Sequence, residues 1–250
     1  MGALPKGSAA AVGRSLRLYH GPGAQRDAMD ALYAGFLRPG DLAFDIGAHV
    51  GDRISSFRRL GARVVALEPQ PAPMRALRLI HGRDGQVTLI EAAAGAAEGS
   101  VELRVNSANP TVSTASDAFV RAADGAAGWE GQAWDRSVTV PCLTLDALIA
   151  RFGRPAFVKI DVEGFEAAVL AGLSTPLPAL SFEFTTIARA VAAECLDRLA
   201  ALGPYRFDVA LGESQRLTFG TPVDRDTMAA HLAGLPHEAN SGDVYAVLAD

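Results

Sequence analysis

Short apolar runs alternate with amphipathic stretches along most of this chain. Runs at residues 41–46, 63–67, 87–91, 157–160, 180–184, 205–211 and 244–248 end at polar or turn-forming residues, as buried strands do. Between them, apolar residues recur at helical spacing. Met29, Leu32, Tyr33 and Phe36 mark a helix over 27–37, Met74, Leu77 and Ile80 one over 71–80, and Leu145, Leu148 and Ile149 one over 144–152. Further helices are expected at 54–60, 165–173 and 187–202. This alternation predicts a largely parallel sheet covered by helices. Residues 1–15 read as an unstructured leader and 16–21 as a short strand or turn.

Two stretches interrupt the pattern. Residues 106–136 are rich in Asn, Ser, Ala and Gly, carry both tryptophans, and lie between half-exposed strands at 101–105 and 137–140. A polar stretch of that length inside a compact domain tends to be functional, and it reads as an inserted cap. Residues 212–243 form the second long connection, before the last strand. The expected organisation is an N-terminal extension and helix over 1–40, followed by a single domain over 41–250.

Composition narrows the function. With 250 residues and 49% hydrophobic content, the chain can bury a substantial core. The net charge of −5 comes without a basic cluster, which argues against nucleic acid or a membrane surface as partner. Cys142 and Cys195 are far apart and lack a CxxC neighbour, so neither a disulfide framework nor zinc is expected. No apolar run is long enough to span a bilayer. The N-terminus lacks the apolar core of a signal peptide, and Lys6 stands where a myristoylation motif needs Ser or Thr. The expectation is a cytoplasmic protein acting on a small molecule, with homo-oligomerisation left open.

The chemistry centres on residues 44–52, Phe-Asp-Ile-Gly-Ala-His-Val-Gly-Asp. An apolar run, two glycines and a helix start make a βα turn, where backbone can approach a ligand closely. It is not the Gly-x-Gly-x-x-Gly dinucleotide fingerprint. Glu68 ends the next strand, 21 residues after Gly47. An acid at that tip can accept hydrogen bonds from both hydroxyls of a ribose; a solvated surface Glu is the alternative. Ala93 and Ala94 follow the third strand, either leaving room for a flat adenine ring or forming a plain loop.

Together, residues 45–51, Glu68-Pro69, Leu143-Thr144-Leu145-Asp146 and Lys159-Ile160-Asp161-Val162-Glu163-Gly164-Phe165-Glu166 resemble the FkbM family of methyltransferases. The resemblance implies a class I methyltransferase fold. That fold is Rossmann-like, with a seven-stranded mostly parallel sheet, an antiparallel last strand and helices on both faces. It implies S-adenosylmethionine as cofactor and O-methylation of a hydroxyl on a sugar or secondary metabolite. Asp45 then serves the methionine end, the turn of Gly47, Ala48, His49 and Gly51 approaches the cofactor, Glu68-Pro69 hold the ribose, and Ala93, Ala94 and Asp161 complete the site. His49 stands where the family usually has Asn.

A hydroxyl nucleophile needs a base or a metal ion near neutral pH. Asp161 and Glu183 end neighbouring strands and are candidates for catalysis and for holding a divalent metal such as magnesium. Alternatively, Asp161 and Glu163 cap the following helix. Lys159, inside an apolar strand, is expected to pair with one of these acids. His237 is a candidate base, with a plain surface histidine as the alternative, and Trp129 and Trp134 are candidates for acceptor binding. Two other readings stay open: a catalytically inactive methyltransferase-like binding protein and an NAD-dependent oxidoreductase.

Overall fold

The computed structural model describes residues 8–20 and 24–249. The chain begins with α1 (Ser8–Tyr19) and α2 (Ala24–Tyr33), then runs β1 (Leu42–Ile46), α3 (Asp52–Arg59), β2 (Arg63–Leu67), α4 (Pro71–His81) and β3 (Val87–Ile90). Next come β4 (Ala93–Ala94), β5 (Gly99–Val105), α5 (Asp117–Ala123), β6 (Arg136–Leu143) and α6 (Leu145–Phe152). The remainder is β7 (Phe157–Ile160), α7 (Glu166–Ala171), β8 (Ala179–Thr185), α8 (Arg189–Leu202), β9 (Tyr205–Leu211), α9 (Arg225–Gly234) and β10 (Ser241–Leu248).

Seven strands form the main sheet in the order β3-β2-β1-β7-β8-β10-β9. All neighbours run parallel except β10, which is antiparallel to both β8 and β9. This is the expected class I arrangement. Strand order reverses between β1 and β7, the switch point outside whose carboxyl ends ligands bind in open α/β sheets. Strand alternation sends side chains to opposite faces. Phe44 and Ile46 of β1 enter a core shared with α6, α7, α8 and α9. Ala43 enters a second core shared with α2, α3 and α4. Among the described residues, no helix is long and apolar enough to cross a membrane.

One expectation needs correction, and both long connections carry a helix that the apolar pattern does not predict. Residues 8–19 are not a leader followed by a strand; they form α1. Val12, Leu16 and Tyr19 recur at helical spacing and pack with Val50, Ala72 and Ala76. Within the connection over residues 212–243, α9 buries Met228 and Leu232 in the core beside α8 and β9. Asp224 caps α9, accepting the Thr227 N–H at 2.8 Å. The cap contains a helix, α5, which Ser116 caps by accepting the Phe119 N–H at 3.1 Å. The cap grows from a small second sheet, β4-β6-β5, in which β5 is antiparallel and β4 parallel to β6.

Candidate active site

The turn after β1 is tightly packed. Gly47 has φ of 86°, and a Cβ there would lie 1.8 Å from the carbonyl oxygen of Asp161. Only glycine lets the tips of β1 and β7 meet this closely. The turn does not present a row of free donors. Gly47 and Ala48 N–H both donate to Leu67 O, at 3.0 and 2.9 Å, and His49 N–H donates to Glu68 Oε2 at 2.9 Å. His49 has φ of 45°, a left-handed conformation in which Asn and His are enriched, which accounts for the exchange of one for the other. Neither of its ring nitrogens has a hydrogen-bond partner among the described residues, and burial lowers its pKa to about 4, keeping it neutral near pH 7.

Glu68, at the tip of β2, is 2% exposed. Its Oε1 accepts the Gln70 N–H at 2.8 Å. Burial dominates over its two backbone N–H donors and pushes its pKa up to about 8. Gln70 in turn donates through Nε2 to Pro110 O at 2.9 Å and accepts from Ser113 Oγ at 3.0 Å. The strand tip that carries Glu68 is thereby fastened to the cap.

The charged residues form a buried chain on the face of the sheet covered by α3. Lys159 is 1% exposed and donates to Asp243 Oδ1 at 2.8 Å and Asp161 Oδ2 at 3.1 Å. Its partner is therefore not one acid but two. Arg53 bonds Asp52, reaches Glu213 at 3.0 Å and lies 4.0 Å from Asp243. Burial opposes ionisation of Asp161, but the Lys159 ammonium and Arg53 guanidinium outweigh it and hold the carboxyl below its usual range. Glu163 and Glu183 lie beside it, and one oxygen from each of the three falls within 4.8 Å of the others. Burial and the Asp161 charge raise both glutamates well above the ordinary carboxylate range. Asp45, 2% exposed, keeps Oδ2 without a partner among the described residues. Burial first, then the nearby Asp52 charge, pushes it up to about 7.

The loop after β7 does not use Asp161 or Glu163 to cap α7. Among the described residues, no side chain caps that helix; Glu166 Oε1 instead braces the loop itself, accepting the N–H groups of Val162 and Gly164 at 3.0 and 3.2 Å. Glu163, held at φ of 55°, is released to face the cleft.

One cleft of about 1020 Å³, counting space open to solvent, brings these groups together. Asp45, Gly47, Ala48 and His49 line it, with Glu68, Pro69, Ala93 and Ala94 along one side and Asp161 and Glu183 opposite. Four expected residues do not line it. Gly51 instead starts α3 at φ of 83°, where a Cβ would lie 2.6 Å from Leu77 and 2.9 Å from His81. Trp129 is buried in the cap's own core with Val112, Phe119 and Ala123, its ring edge-on to Phe119 at 5.2 Å. Trp134 donates Nε1–H to Val112 O at 2.8 Å. His237 donates Nε2–H to Ala127 O at 2.8 Å, out on the cap. Sequence reasoning leaves out Tyr19, Arg53, Gln70, Phe165 and Glu213, all of which line the cleft.

The residues present fit adenosylmethionine: the Gly47 cradle admits close approach, Asp45 keeps an unpaired oxygen, and Ala92, Ala93 and Ala94 leave a small-residue wall. The chain was also compared with known proteins. No curated protein matches the chain. A TehB-like SAM-dependent methyltransferase from Corynebacterium glutamicum ATCC 13032 shares the fold, at a TM-score of 0.51 and 10% identity over 96% of each chain. An O-methyltransferase from Bacillus cereus in complex with SAH is similar at 0.48 and 12%, over 98% of this chain and 93% of that one. The precorrin-6y C5,15-methyltransferase of Geobacter metallireducens GS-15 is similar at 0.45 and 13%, over 90% and 87%. The methyltransferase FkbM domain matches residues 45–200, more than half of the chain and the stretch that carries Asp45, Glu68, Asp161 and Glu183, so this chain belongs to the FkbM methyltransferase family.

Proposed function

We propose that the protein transfers the methyl group of S-adenosylmethionine to a hydroxyl oxygen of a small, unphosphorylated acceptor, a sugar or secondary metabolite. The observation that carries this reading is the Asp161 carboxyl at the switch point, bonded by Lys159 and lining the cleft beside Glu163 and Glu183. When bound, the cofactor supplies an already activated methyl group, so the protein's tasks are positioning, exclusion of water and management of one proton. Glu68 accepts the ribose hydroxyls. The Gly47 turn sets the depth of binding, and the alanine wall with Phe165 excludes water from the adenine side. Asp161 accepts the proton that the acceptor hydroxyl loses as its oxygen is methylated. Lys159 and Arg53 keep Asp161 ionised for that purpose. Seven carboxyl groups and two cations, Arg53 and Lys159, line the cleft, and both cations are already engaged by protein carboxylates, which leaves little positive charge to receive phosphorylated acceptors or nucleic acid.

Asp161, Glu163 and Glu183 also offer three oxygen ligands of the kind magnesium takes. An ion held there would lower the pKa of a coordinated hydroxyl. The test is labelled-methyl transfer to a panel of polyols and sugars, with and without chelator. Asp161→Asn should abolish transfer while S-adenosylhomocysteine binding persists. Full turnover by Asp161→Asn refutes the proton-acceptor role, and full turnover in excess chelator refutes the metal.

A further inference from the structure

Helix α1 lies outside the stretch matched by the family, yet it forms part of the cleft wall. Its apolar stripe packs on α4 and Val50, and two polar contacts fasten it. Arg14 Nη2 donates to Ala108 O of the cap at 2.7 Å, and His20 Nε2–H donates to Val50 O of the glycine turn at 2.8 Å. Held between cap and turn, α1 delivers Tyr19 into the cleft, its ring edge-on to His49 at 6.1 Å.

The acid-rich lining suits the sulfonium and ammonium of adenosylmethionine but not its carboxylate, which needs hydrogen-bond donors. The cations of the lining are engaged by protein carboxylates: Lys159 by Asp161 and Asp243, Arg53 by Asp52 and Glu213. The backbone N–H groups of Gly47, Ala48 and His49 are spent on Leu67 and Glu68, which leaves the side chains of Tyr19 and its neighbour His49 as donors on this wall. Among the described residues, no hydrogen bond engages the Tyr19 hydroxyl. We infer that Tyr19 receives the carboxylate of the bound methyl donor through its phenolic O–H, making α1 a structural part of the cofactor site. Burial, followed by the charges of Glu213, Asp161 and Asp52, raises the phenol well above its ordinary value, so it serves as a donor and not as a base.

This assignment rests on the adenosylmethionine reading of the cleft, and the experiment separates the two. Calorimetry compares S-adenosylhomocysteine with its decarboxylated analogue, which keeps the ammonium and lacks only the carboxylate. Tyr19→Phe preserves the ring beside His49, so the fold is not at risk. A hydrogen bond to a charged group corresponds to roughly tenfold to a hundredfold in affinity. Tyr19→Phe should lose that much for S-adenosylhomocysteine and less than about twofold for the analogue. Equal loss for both ligands, or no loss for either, overturns the role of Tyr19 alone. If the unaltered protein binds neither ligand, the cofactor reading falls and this assignment falls with it.

Discussion

Replacing Lys159 by Met tests the charge chain behind Asp161. The side chain is 1% exposed and lies between Asp243, 8% exposed, and Asp161, 33% exposed. Removing one partner of a buried pair leaves an uncompensated buried charge, at a cost of about 3–5 kcal/mol. Only Asp243 is buried enough to count fully, since the Asp161 contact is partly screened by solvent, and Arg53 lies 4.0 Å from Asp243 to soften the loss. The expected cost is therefore about 3 kcal/mol, the low end of that range, or about 6–12 °C in Tm for a chain of this size. Asp161 is depressed, so its contribution is present above its unfolded value of ~3.9 and lost as pH falls through the lower folded value. Lys159 is raised, so its contribution is present below ~10.4 and lost as pH rises through the higher folded value. The gap between native and variant should therefore be flat between about pH 4 and 10 and narrow outside that window. The same substitution lets the Asp161 carboxyl rise, so the acid limb of the pH–rate profile should move to higher pH. Lys159→Met/Asp243→Leu should be more stable than Lys159→Met alone, because it removes the stranded charge with its partner. Urea unfolding across pH decides. A single variant within about 1 kcal/mol of native, or a double variant less stable than the single, would refute the reasoning.

Gly47→Ala should weaken S-adenosylhomocysteine binding by more than about tenfold, since left-handed strain alone costs ~1–3 kcal/mol and the added Cβ would lie 1.8 Å from Asp161 O; native affinity by calorimetry contradicts this. Glu68, held up to about 8 by burial, is mostly protonated near pH 7 in the empty cleft. Ribose donors favour its ionised form, so binding at pH 7 should release up to about one proton. Calorimetry in buffers of different ionisation enthalpy measures this, and zero release removes the ribose assignment. Trp129→Ala should cost about 3 kcal/mol, near the lower end for Trp→Ala, because it empties the cap's own core, while cofactor affinity stays within about threefold. A raised acceptor KM with unchanged Tm would instead restore the tryptophan as an acceptor platform.

What the sequence makes legible here is what short apolar runs determine locally. Strands Arg63–Leu67, Phe157–Ile160 and Tyr205–Leu211 fall where their runs do, and a strand's end fixes which residue sits on the rim. Asp45, Glu68, Asp161 and Glu183 therefore line the cleft as their places near strand ends imply. Elements whose burial depends on a distant partner are not. The stripe of α1 is apolar enough to pack, but its seat is Ala72 and Ala76 on α4, and helix α9 has only Met228 and Leu232 as buried anchors. The acids of the loop after β7 show the same limit within one motif. Glu163 and Glu166 are three residues apart, and either could satisfy the loop's N–H groups. The fold gives that work to Glu166 and turns Glu163 to the cleft. Lys159 stands out in its apolar strand, yet Asp243 lies one residue before the expected start of the last strand. Antiparallel pairing places Asp243 opposite Glu183, on the sheet face that carries Lys159. A buried cation in a strand thus advertises that an acid must exist, and only the strand order says which acid it is.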